Sequence, residues 1–345
     1  MVNLQEVLHS LDIFRNITGI RLEDLYNLML AKGWTLGSAQ GLKFMHAVLR
    51  IRHASMVRVL SKYWTEAQPD LVVSLVPNFN REMCDSLQMA LATKPLTTTP
   101  FVTILTDFAD YPPHFWIERQ KQYLICGTEK AVGQAREQGH DDNHIFRTSG
   151  MILRPNFYQP VKVDREAERA RLGLDPARPT GLVLFGGQGS KVMLEIAERA
   201  KDTQLILICG RNQTLAAKLR ALPQGKAPRF VEGFTSEIPY YMHLADFFIG
   251  KPGPGSISEA VAMKLPVIVE RNSWTLPQER YNAEWVIEKG AGIVLPNFRR
   301  IGEAVRELEG SLENYRANVS RIENRAVFEI PEILSKILDG NPRRP

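Results

Sequence analysis

Short runs of consecutive apolar residues alternate with helix-length segments along this chain of 345 residues. The strand-like runs cover residues 71–76, 101–106, 123–126, 182–185, 205–209, 246–249 and 266–270. Because these apolar residues are consecutive rather than alternating, both faces of each strand must be covered, as in a parallel sheet with helices on both sides. The alternation therefore predicts an α/β architecture of two doubly wound parallel sheets in Rossmann-like domains.

Length and composition agree with two soluble domains. Apolar residues make up 44% of the chain and charged residues 23%, which excludes extended disorder. The net charge of +5 is mild, and we expect no nucleic-acid partner. The three cysteines show no spacing typical of zinc ligands or of a disulfide framework. No apolar run reaches the roughly 18 residues of a membrane span, and no secretory signal is visible, so we expect a cytoplasmic location.

A charged, proline-containing stretch near residues 155–179 marks the expected domain boundary. We predict a first Rossmann-like domain over residues 1–155, a linker over 156–178, a second domain over 179–311, and C-terminal helices over 312–345 that cross back to the first domain. The second half opens with a strand, a glycine turn and a helix, whereas the first half has no such glycine turn. We therefore expect the first domain to lack its opening strand, loop and helix.

The sequence Lys251-Pro-Gly-Pro-Gly-Ser-Ile-Ser-Glu-Ala260 directly follows a strand-like run. Its glycines allow close approach of a ligand to the backbone, and a helix beginning at Ser256 would offer free N–H groups to a phosphate. The carboxyl end of a strand is where open α/β sheets bind ligands. The alternative interpretation is a helix whose capping box is formed by Ser256 and Glu259.

Three further strand ends carry glycines. They are residues 186–189 (Gly-Gly-Gln-Gly), residues 209–212 (Cys-Gly-Arg-Asn) and the pair Gly233-Phe234. Each of them alone fits an ordinary turn, but parallel strands bring their carboxyl ends to one edge, where these loops would line one cleft.

Polar residues at two other positions are candidates for chemistry. Gln278, Glu279 and Asn282 fall at the start of a predicted helix, where they could bind sugar hydroxyls or act as N-terminal caps. Asp107 and His114 follow a strand of the first domain and are candidate proton acceptors, with a capped turn as the alternative.

Residues 25–65 contain no Asp or Glu, and the segment 42–64 is rich in apolar residues. This pattern indicates either a basic amphipathic helix at an anionic membrane or a helix that packs its apolar face on the sheet. The expected membrane contacts are Lys43, Arg50, Arg52, Arg58 and Lys62.

Taken in order, these stretches resemble glycosyltransferases of the monogalactosyldiacylglycerol synthase type, which belong to the GT-B superfamily. The resemblance spans about residues 65–300. The matching segments are 69–74, 106–108, 149–155, 186–189, 209–212, 233–234, 253–256 with Glu259, and 277–279 with Asn282. It implies two Rossmann-like domains facing a cleft, with the second domain holding a UDP-sugar and the first receiving a lipid hydroxyl.

The resemblance also implies residue roles. Residues 253–256 would receive the diphosphate, Glu259 the ribose hydroxyls, Gly233 and Phe234 the uracil, and Gln278, Glu279 and Asn282 the hexose. The full set of expected donor-binding residues is Gly187, Gly189, Arg211, Asn212, Gly233, Phe234, Gly253, Pro254, Gly255, Ser256, Glu259, Gln278, Glu279 and Asn282. Such enzymes invert the anomeric centre and need no catalytic metal, so neither a metal nor a separate cofactor is expected.

Two departures from the family pattern concern the first domain. The family's opening glycine-rich loop with its histidine has no counterpart here, and the family order His-Pro-x-Trp is replaced by a sequence in which His114 is shifted by two positions. The preferred function is a hexosyltransferase that moves galactose or glucose from a UDP-hexose to a diacylglycerol-like lipid, in glycolipid biosynthesis, peripherally on the inner face of a membrane. The alternatives are a UDP-sugar 2-epimerase and a non-catalytic UDP-sugar-binding protein.

Overall fold

A computed structural model describes residue 7 and residues 38–92, 99–111, 115–223 and 225–340. The chain forms two compact units. The first comprises Met1–Ile152, Leu276–Gln278 and Arg325–Pro345, and the second comprises Leu153–Thr275 and Glu279–Asn324. Both contain a wholly parallel sheet, so the predicted pair of Rossmann-like α/β domains is confirmed.

The second unit carries a six-stranded sheet in the order β10-β9-β8-β5-β6-β7. Its strands are β5 (Thr180–Leu184), β6 (Gln204–Ile208), β7 (Arg229–Glu232), β8 (Phe247–Gly250), β9 (Val267–Glu270) and β10 (Gly292–Leu295). Counted along the chain from β5, the order is 6-5-4-1-2-3, which is that of a dinucleotide-binding Rossmann sheet. The order in which successive strands are added to the sheet therefore reverses between the neighbours β5 and β8, although the strands themselves stay parallel.

Helices cover this sheet because they present apolar faces to strands that are buried on both sides. They are α4 (Arg165–Arg171), α5 (Val192–Arg199), α6 (Gln213–Ala221), α7 (Ile238–Leu244), α8 (Pro254–Ala262), α9 (Arg280–Glu288), α10 (Ile301–Gly310) and α11 (Leu312–Ser320). One continuous apolar core joins α5, α6 and α10 to Val183, Leu205, Leu207 and Phe247 of the sheet.

The first unit carries a four-stranded sheet among its described residues, in the order β1-β2-β3-β4. Its strands are β1 (Val72–Ser74), β2 (Phe101–Ile104), β3 (Tyr123–Cys126) and β4 (Ile145–Arg147), and its helices are α1 (Ser38–Ala67), α2 (Asn80–Ala92), α3 (Glu129–Glu137) and α12 (Ala326–Asp339). Successive residues of β2 face opposite cores: Phe101 packs with α1 and α2, whereas Val102 packs with α12.

The stretch 156–178 is not a free linker, which corrects the predicted boundary. It contains α4, whose buried Arg169 donates hydrogen bonds to the Leu244 carbonyl at 2.8 Å and to Asp246 at 2.5 Å. A charged segment looks like a linker in the sequence, but here its charges are paired inside the second unit.

The C-terminal prediction is wrong for its first part. Helix α11 belongs to the second unit, where Asn318 donates to the Gly290 carbonyl at 3.0 Å, and only the chain from Arg325 joins the first unit. Residues 326, 330, 333 and 337 of α12 form an apolar stripe at helical spacing, and this stripe covers Val102, Ile104 and Ile125.

The prediction of a missing opening strand, loop and helix concerns the chain before Ser38, which lies outside the described residues apart from residue 7. Among the described helices, including the 30-residue α1, none combines the length and apolarity that a membrane crossing requires.

Candidate functional site

The loop after β8 leads directly into the open end of a helix. Helix α8 begins at Pro254, and its N-cap residue Gly253 supplies no side-chain hydrogen bond. By helix geometry the N–H groups of Gly255 and Ser256 have no acceptor within the helix, so they remain available to an anion. Ser256 lies inside the first turn rather than at its start, which corrects the expected helix start and overturns the alternative of a capping box formed by Ser256 and Glu259.

Two side chains from the start of α9 brace this loop. Glu279 accepts a hydrogen bond from Lys251 Nζ at 2.9 Å, and Asn282 donates from Nδ2 to the Pro252 carbonyl at 2.9 Å. Glu279 is 8% exposed and Asn282 is fully buried.

These contacts show that Glu279 and Asn282 hold the loop, and their expected contact with a hexose stays a prediction. Gln278, the third predicted hexose contact, lies in the short 3-10 helix Pro277–Glu279, is partly exposed, and is grouped with the first unit.

Glu259 lies one turn into α8. Burial raises the pKa of its carboxyl to about 7, with the positive charge of Arg154 opposing the rise. The carboxyl is thus only partly ionised near neutral pH, and a ligand that donates hydrogen bonds to it would favour the ionised form.

The glycine turns after β5 and β6 pack against each other. Gly210 has φ of +59°, and a Cβ atom on it would lie 2.3 Å from the Gly187 carbonyl oxygen. The Arg211 N–H donates to that same carbonyl at 2.8 Å. Gly189 also has positive φ, and its Cβ would lie 2.8 Å from the Cys209 carbonyl. Gly187 differs, because a Cβ there would meet nothing within 4 Å.

Asn212 and Phe234 lie at the ends of β6 and β7. Asn212 caps α6 by accepting from the Leu215 N–H at 3.0 Å, and its amide also donates to the Gln188 carbonyl. Phe234 is 59% exposed, and the Arg211 guanidinium lies 4.9 Å from its ring centre. Gly233 is buried and donates its N–H to Glu232. An exposed aromatic ring paired with a guanidinium offers a stacking surface to a planar ligand.

The strand order explains why these loops matter. In open α/β sheets, ligands bind outside the carboxyl ends of the strands where the strand order reverses. In this sheet that point lies between β5 and β8. The loops that follow these two strands contain residues 186–189 and 251–255. The two most glycine-rich motifs of the second half thus flank the expected ligand position.

The first unit holds the candidate catalytic residue Asp107. Its carboxylate accepts a hydrogen bond from Trp116 Nε1 at 2.8 Å, and the Trp116 backbone N–H donates to Asp110 at 2.7 Å. Trp116 is buried, so it fixes one oxygen of Asp107. His114, the second candidate, lies outside the described residues.

The basic segment forms α1, and one face of this helix packs into the core of the first unit, while the membrane interpretation stays a prediction for the exposed face. Met56, Val57 and Leu60 are buried in the core, whereas Arg50, Arg58 and Lys62 are exposed. Ile51, which is 81% exposed, shares the exposed face with these three cations. Arg52 is partly buried, and the side chain of Lys43 lies outside the described residues.

Three residues that the structure places at the candidate sites had no role predicted from the sequence. Lys251 lies beside the first turn of α8, Arg154 acts on Glu259, and Trp116 contacts Asp107. Only Lys251 had a local signal, as the cation that precedes the glycines of the motif.

Two families match consecutive parts of the chain. The family described as monogalactosyldiacylglycerol (MGDG) synthase matches residues 21–151, and the glycosyltransferase family 28 C-terminal domain matches residues 182–329. The MurG structure from Acinetobacter baumannii is similar with a TM-score of 0.57 and 11% identity, covering 83% of this chain and 80% of that one. Together with the strand order, these matches define the class as a GT-B glycosyltransferase.

Curated relatives narrow the class. The monogalactosyldiacylglycerol synthase of Spinacia oleracea is 31% identical over 271 residues, covering 75% of this chain and 49% of that protein. Monogalactosyldiacylglycerol synthase 1 of Arabidopsis thaliana is 28% identical, covering 80% of this chain and 53% of that protein. The chain spans about half the length of these relatives. It belongs with the monogalactosyldiacylglycerol synthase-like glycosyltransferases.

The fold itself is shared by different activities. The structure described as Anabaena Alr3699/HepE in complex with UDP has a TM-score of 0.53 and 16% identity, covering 81% of this chain and 82% of that one. The UDP-GlcNAc 2-epimerase of Neisseria meningitidis has a TM-score of 0.54 and 15% identity, covering 84% and 82%. The architecture therefore does not separate sugar transfer from epimerisation.

Proposed function

We propose that this protein is an inverting hexosyltransferase that moves galactose or glucose from a UDP-sugar to a lipid hydroxyl such as that of diacylglycerol. The observation that carries the proposal is the placement of an open helix N-terminus and a glycine turn on the two strands that flank the reversal of strand order. The relatives named as monogalactosyldiacylglycerol synthases supply the reaction class.

The donor would bind along the carboxyl edge of the second sheet. The N–H groups of Gly255 and Ser256 would receive the diphosphate, and Glu259 would accept hydrogen bonds from the ribose hydroxyls. Phe234 would border the uracil, supported by its exposure and by its neighbour Arg211. Glu279 and Asn282 would hold the loop in place, and their expected contact with the hexose remains part of the proposal.

Transfer would proceed in one displacement. The acceptor oxygen bonds to the anomeric carbon while the bond from that carbon to the diphosphate oxygen breaks with its electron pair. Asp107 would take the acceptor proton, and Trp116 would orient its carboxylate for this role. The helix N-terminus would stabilise the charge that develops on the departing diphosphate, so a metal-independent reaction is part of the proposal.

The acceptor would reach the first unit from a membrane surface. The exposed face of α1 combines Arg50, Arg58 and Lys62 with the apolar Ile51. Each cation near an anionic leaflet contributes about 1 kcal/mol, so the protein would bind peripherally to such a membrane.

The direct test is transfer from radiolabelled UDP-galactose and UDP-glucose to diacylglycerol in anionic vesicles, with EDTA in a parallel series. We expect labelled glycolipid in both series and its near-complete loss in the Asp107→Asn variant. A labelled 2-epimer of the sugar nucleotide would favour the epimerase, and bound UDP without any product would favour a binding protein. Either result would refute the proposed activity.

The membrane part has its own test. Replacing Arg50, Arg52 and Arg58 with Gln is expected to weaken co-sedimentation with anionic vesicles, and salt should weaken the wild type in the same way. The control replaces three exposed arginines of the second unit, Arg299, Arg306 and Arg321, with Gln. Equal loss in both variants would show a general charge effect and would refute a membrane face on α1.

A further inference from the structure

We infer that Lys251 is a donor-binding residue whose ammonium group contacts the diphosphate, and this inference rests on the proposed function. The side chain lies across the start of α8, because its Cε atom lies 3.3 Å from the point where Gly253 would carry a Cβ atom. The ammonium of Lys251 is therefore held beside the helix end that offers the N–H groups of Gly255 and Ser256.

The position is electrostatically unfavourable without an anion. The N-terminus of a helix carries a partial positive charge, so cations are ordinarily found at the opposite end. In the structure Lys251 is compensated by the Glu279 carboxylate at 2.9 Å, and that carboxylate lies 3.8 Å from the same Cβ point of Gly253. A diphosphate at the first turn of α8 would supply the negative charge that the helix end and the ammonium both favour.

The geometry also keeps Lys251 available. Its side chain is 37% exposed, whereas that of Glu279 is 11% exposed, so the ammonium is the more accessible member of the pair. An ammonium group carries three N–H donors, and a single carboxylate oxygen does not occupy all of them. Lys251 can therefore keep Glu279 as a partner while it donates to a phosphate oxygen.

The backbone around Lys251 is fixed, which makes the contact specific. Pro252 and Pro254 restrict the chain on both sides of Gly253, and the Gly253 N–H donates back to the Lys251 carbonyl at 2.8 Å. The Asn282 side-chain amide donates a hydrogen bond to the Pro252 carbonyl. The loop thus presents the cation and the helix end together, as one anion-binding element.

The test compares the affinities for UDP and for uridine, which lacks the phosphates, by calorimetry on the whole chain. Lys251→Met is expected to weaken UDP binding about tenfold to a hundredfold, the range of a hydrogen bond to a charged group, and to leave uridine binding unchanged. Lys289→Met, at the exposed far end of α9, is the matched control and should change neither affinity.

A second variant separates ligand contact from bracing of the loop. Glu279→Met breaks the same ion pair but keeps the cation, so it should retain most of the preference for UDP over uridine. Equal losses in Lys251→Met and Glu279→Met would mean that Lys251 acts only as a brace, and an unchanged Lys251→Met would mean no contact; both results overturn the inference. A wild type that binds UDP no better than uridine would instead refute the proposed donor site.

Discussion

The two sheets of this protein differ in strand order and in how they present chemistry. In the second unit the order reverses between β5 and β8, and glycine loops follow both strands. In the first unit the four described strands lie side by side in chain order. The candidate site of the second unit therefore relies on backbone N–H groups at a point set by topology, whereas the candidate base of the first unit depends on the Trp116 side chain.

The units also differ in how they bury charge. In the second unit, Asp246 is paired with Arg165, Arg169 and Arg316 and accepts from the Thr180 N–H. In the first unit His53 lies between Glu82 and Asp85, at 3.2 and 3.1 Å, yet Oε2 of the buried Glu82 has no hydrogen-bond partner among the described residues. The buried Asp246 is thus well compensated, whereas the buried Glu82 is less so.

The largest effect is expected from a substitution that breaks the paired charges of the second unit. Asp246→Ala would leave the buried Arg169 without its carboxylate, and losing one partner of a buried pair costs about 3–5 kcal/mol. Urea unfolding measures this loss. Asp202→Ala, which removes the exposed partner of Lys226, is the control and should cost at most about 1 kcal/mol. Similar losses of unfolding free energy in the two variants would show that the buried pairs of Asp246 stabilise the protein no more than an exposed ion pair does.

The next largest effect is a difference in stability between alanine substitutions at two glycines of the packed turns. Gly210→Ala forces a side chain into positive φ and against the Gly187 carbonyl, and we expect a cost of about 2 kcal/mol or more in urea unfolding. Gly187→Ala meets open space and should stay within about 0.5 kcal/mol. If UDP lies against this turn, Gly187→Ala weakens UDP binding without changing stability. A destabilised Gly187→Ala would show that the turn is packed differently.

A third prediction uses the first unit's buried acid. Burial, reinforced by Glu82, raises the pKa of Glu118 to about 8, above its value in the unfolded chain. The folded state then holds more protons between about pH 4.5 and 8, so stability is greatest below this window and falls as pH rises through it.

Glu118→Gln should remove this decline and make the variant more stable than the wild type at pH 9, by about 2 kcal/mol, after allowing for solvent screening. Thermal melts at pH 5, 7 and 9 measure the effect. The exposed Glu137→Gln serves as the control and should follow the wild type at each pH. Parallel melting curves for Glu118→Gln and the wild type would disprove the assignment.

The smallest effect is expected at Glu259, an acid of the candidate site in the second unit. Because the pKa of Glu259 is raised to about 7, its carboxylate form increases between pH 6 and 8, and uridine affinity should rise with it by up to about tenfold. The rise should vanish in Glu259→Gln and with a nucleoside lacking the 2′ and 3′ hydroxyls. A pH-independent uridine affinity in the wild type would refute the proposed contact between Glu259 and the ribose hydroxyls.

Much of the fold could be predicted from the sequence. The seven strand-like runs all became strands of parallel sheets, because a buried strand and a glycine turn leave local signals. The short, half-buried β4 and β10 lack long apolar runs and were harder to detect. The segments 156–178 and 312–320 were misassigned because their charged residues pair with the distant Asp246 rather than with water.

The candidate site also has features that could be predicted from the sequence and features that could not. The glycine loops at the strand ends could be located from the sequence, since they depend on backbone conformation and on nearest neighbours. The burial of Glu279 and Asn282, the position of Lys251 and the Trp116 contact could not, since they join segments about 9 to 30 residues apart.

The sequence by itself determined that this protein alternates strands and helices and that glycine loops end the strands of its second half. Only the tertiary structure decided that β5 and β8 are neighbours, that Asn282 lies beneath the loop, and that Lys251 lies across a helix end. Hydrophobic periodicity and turn chemistry act over a few residues and are written locally. Strand order and side-chain partners depend instead on which distant segments bury each other's surfaces, and folding of the whole chain sets that choice.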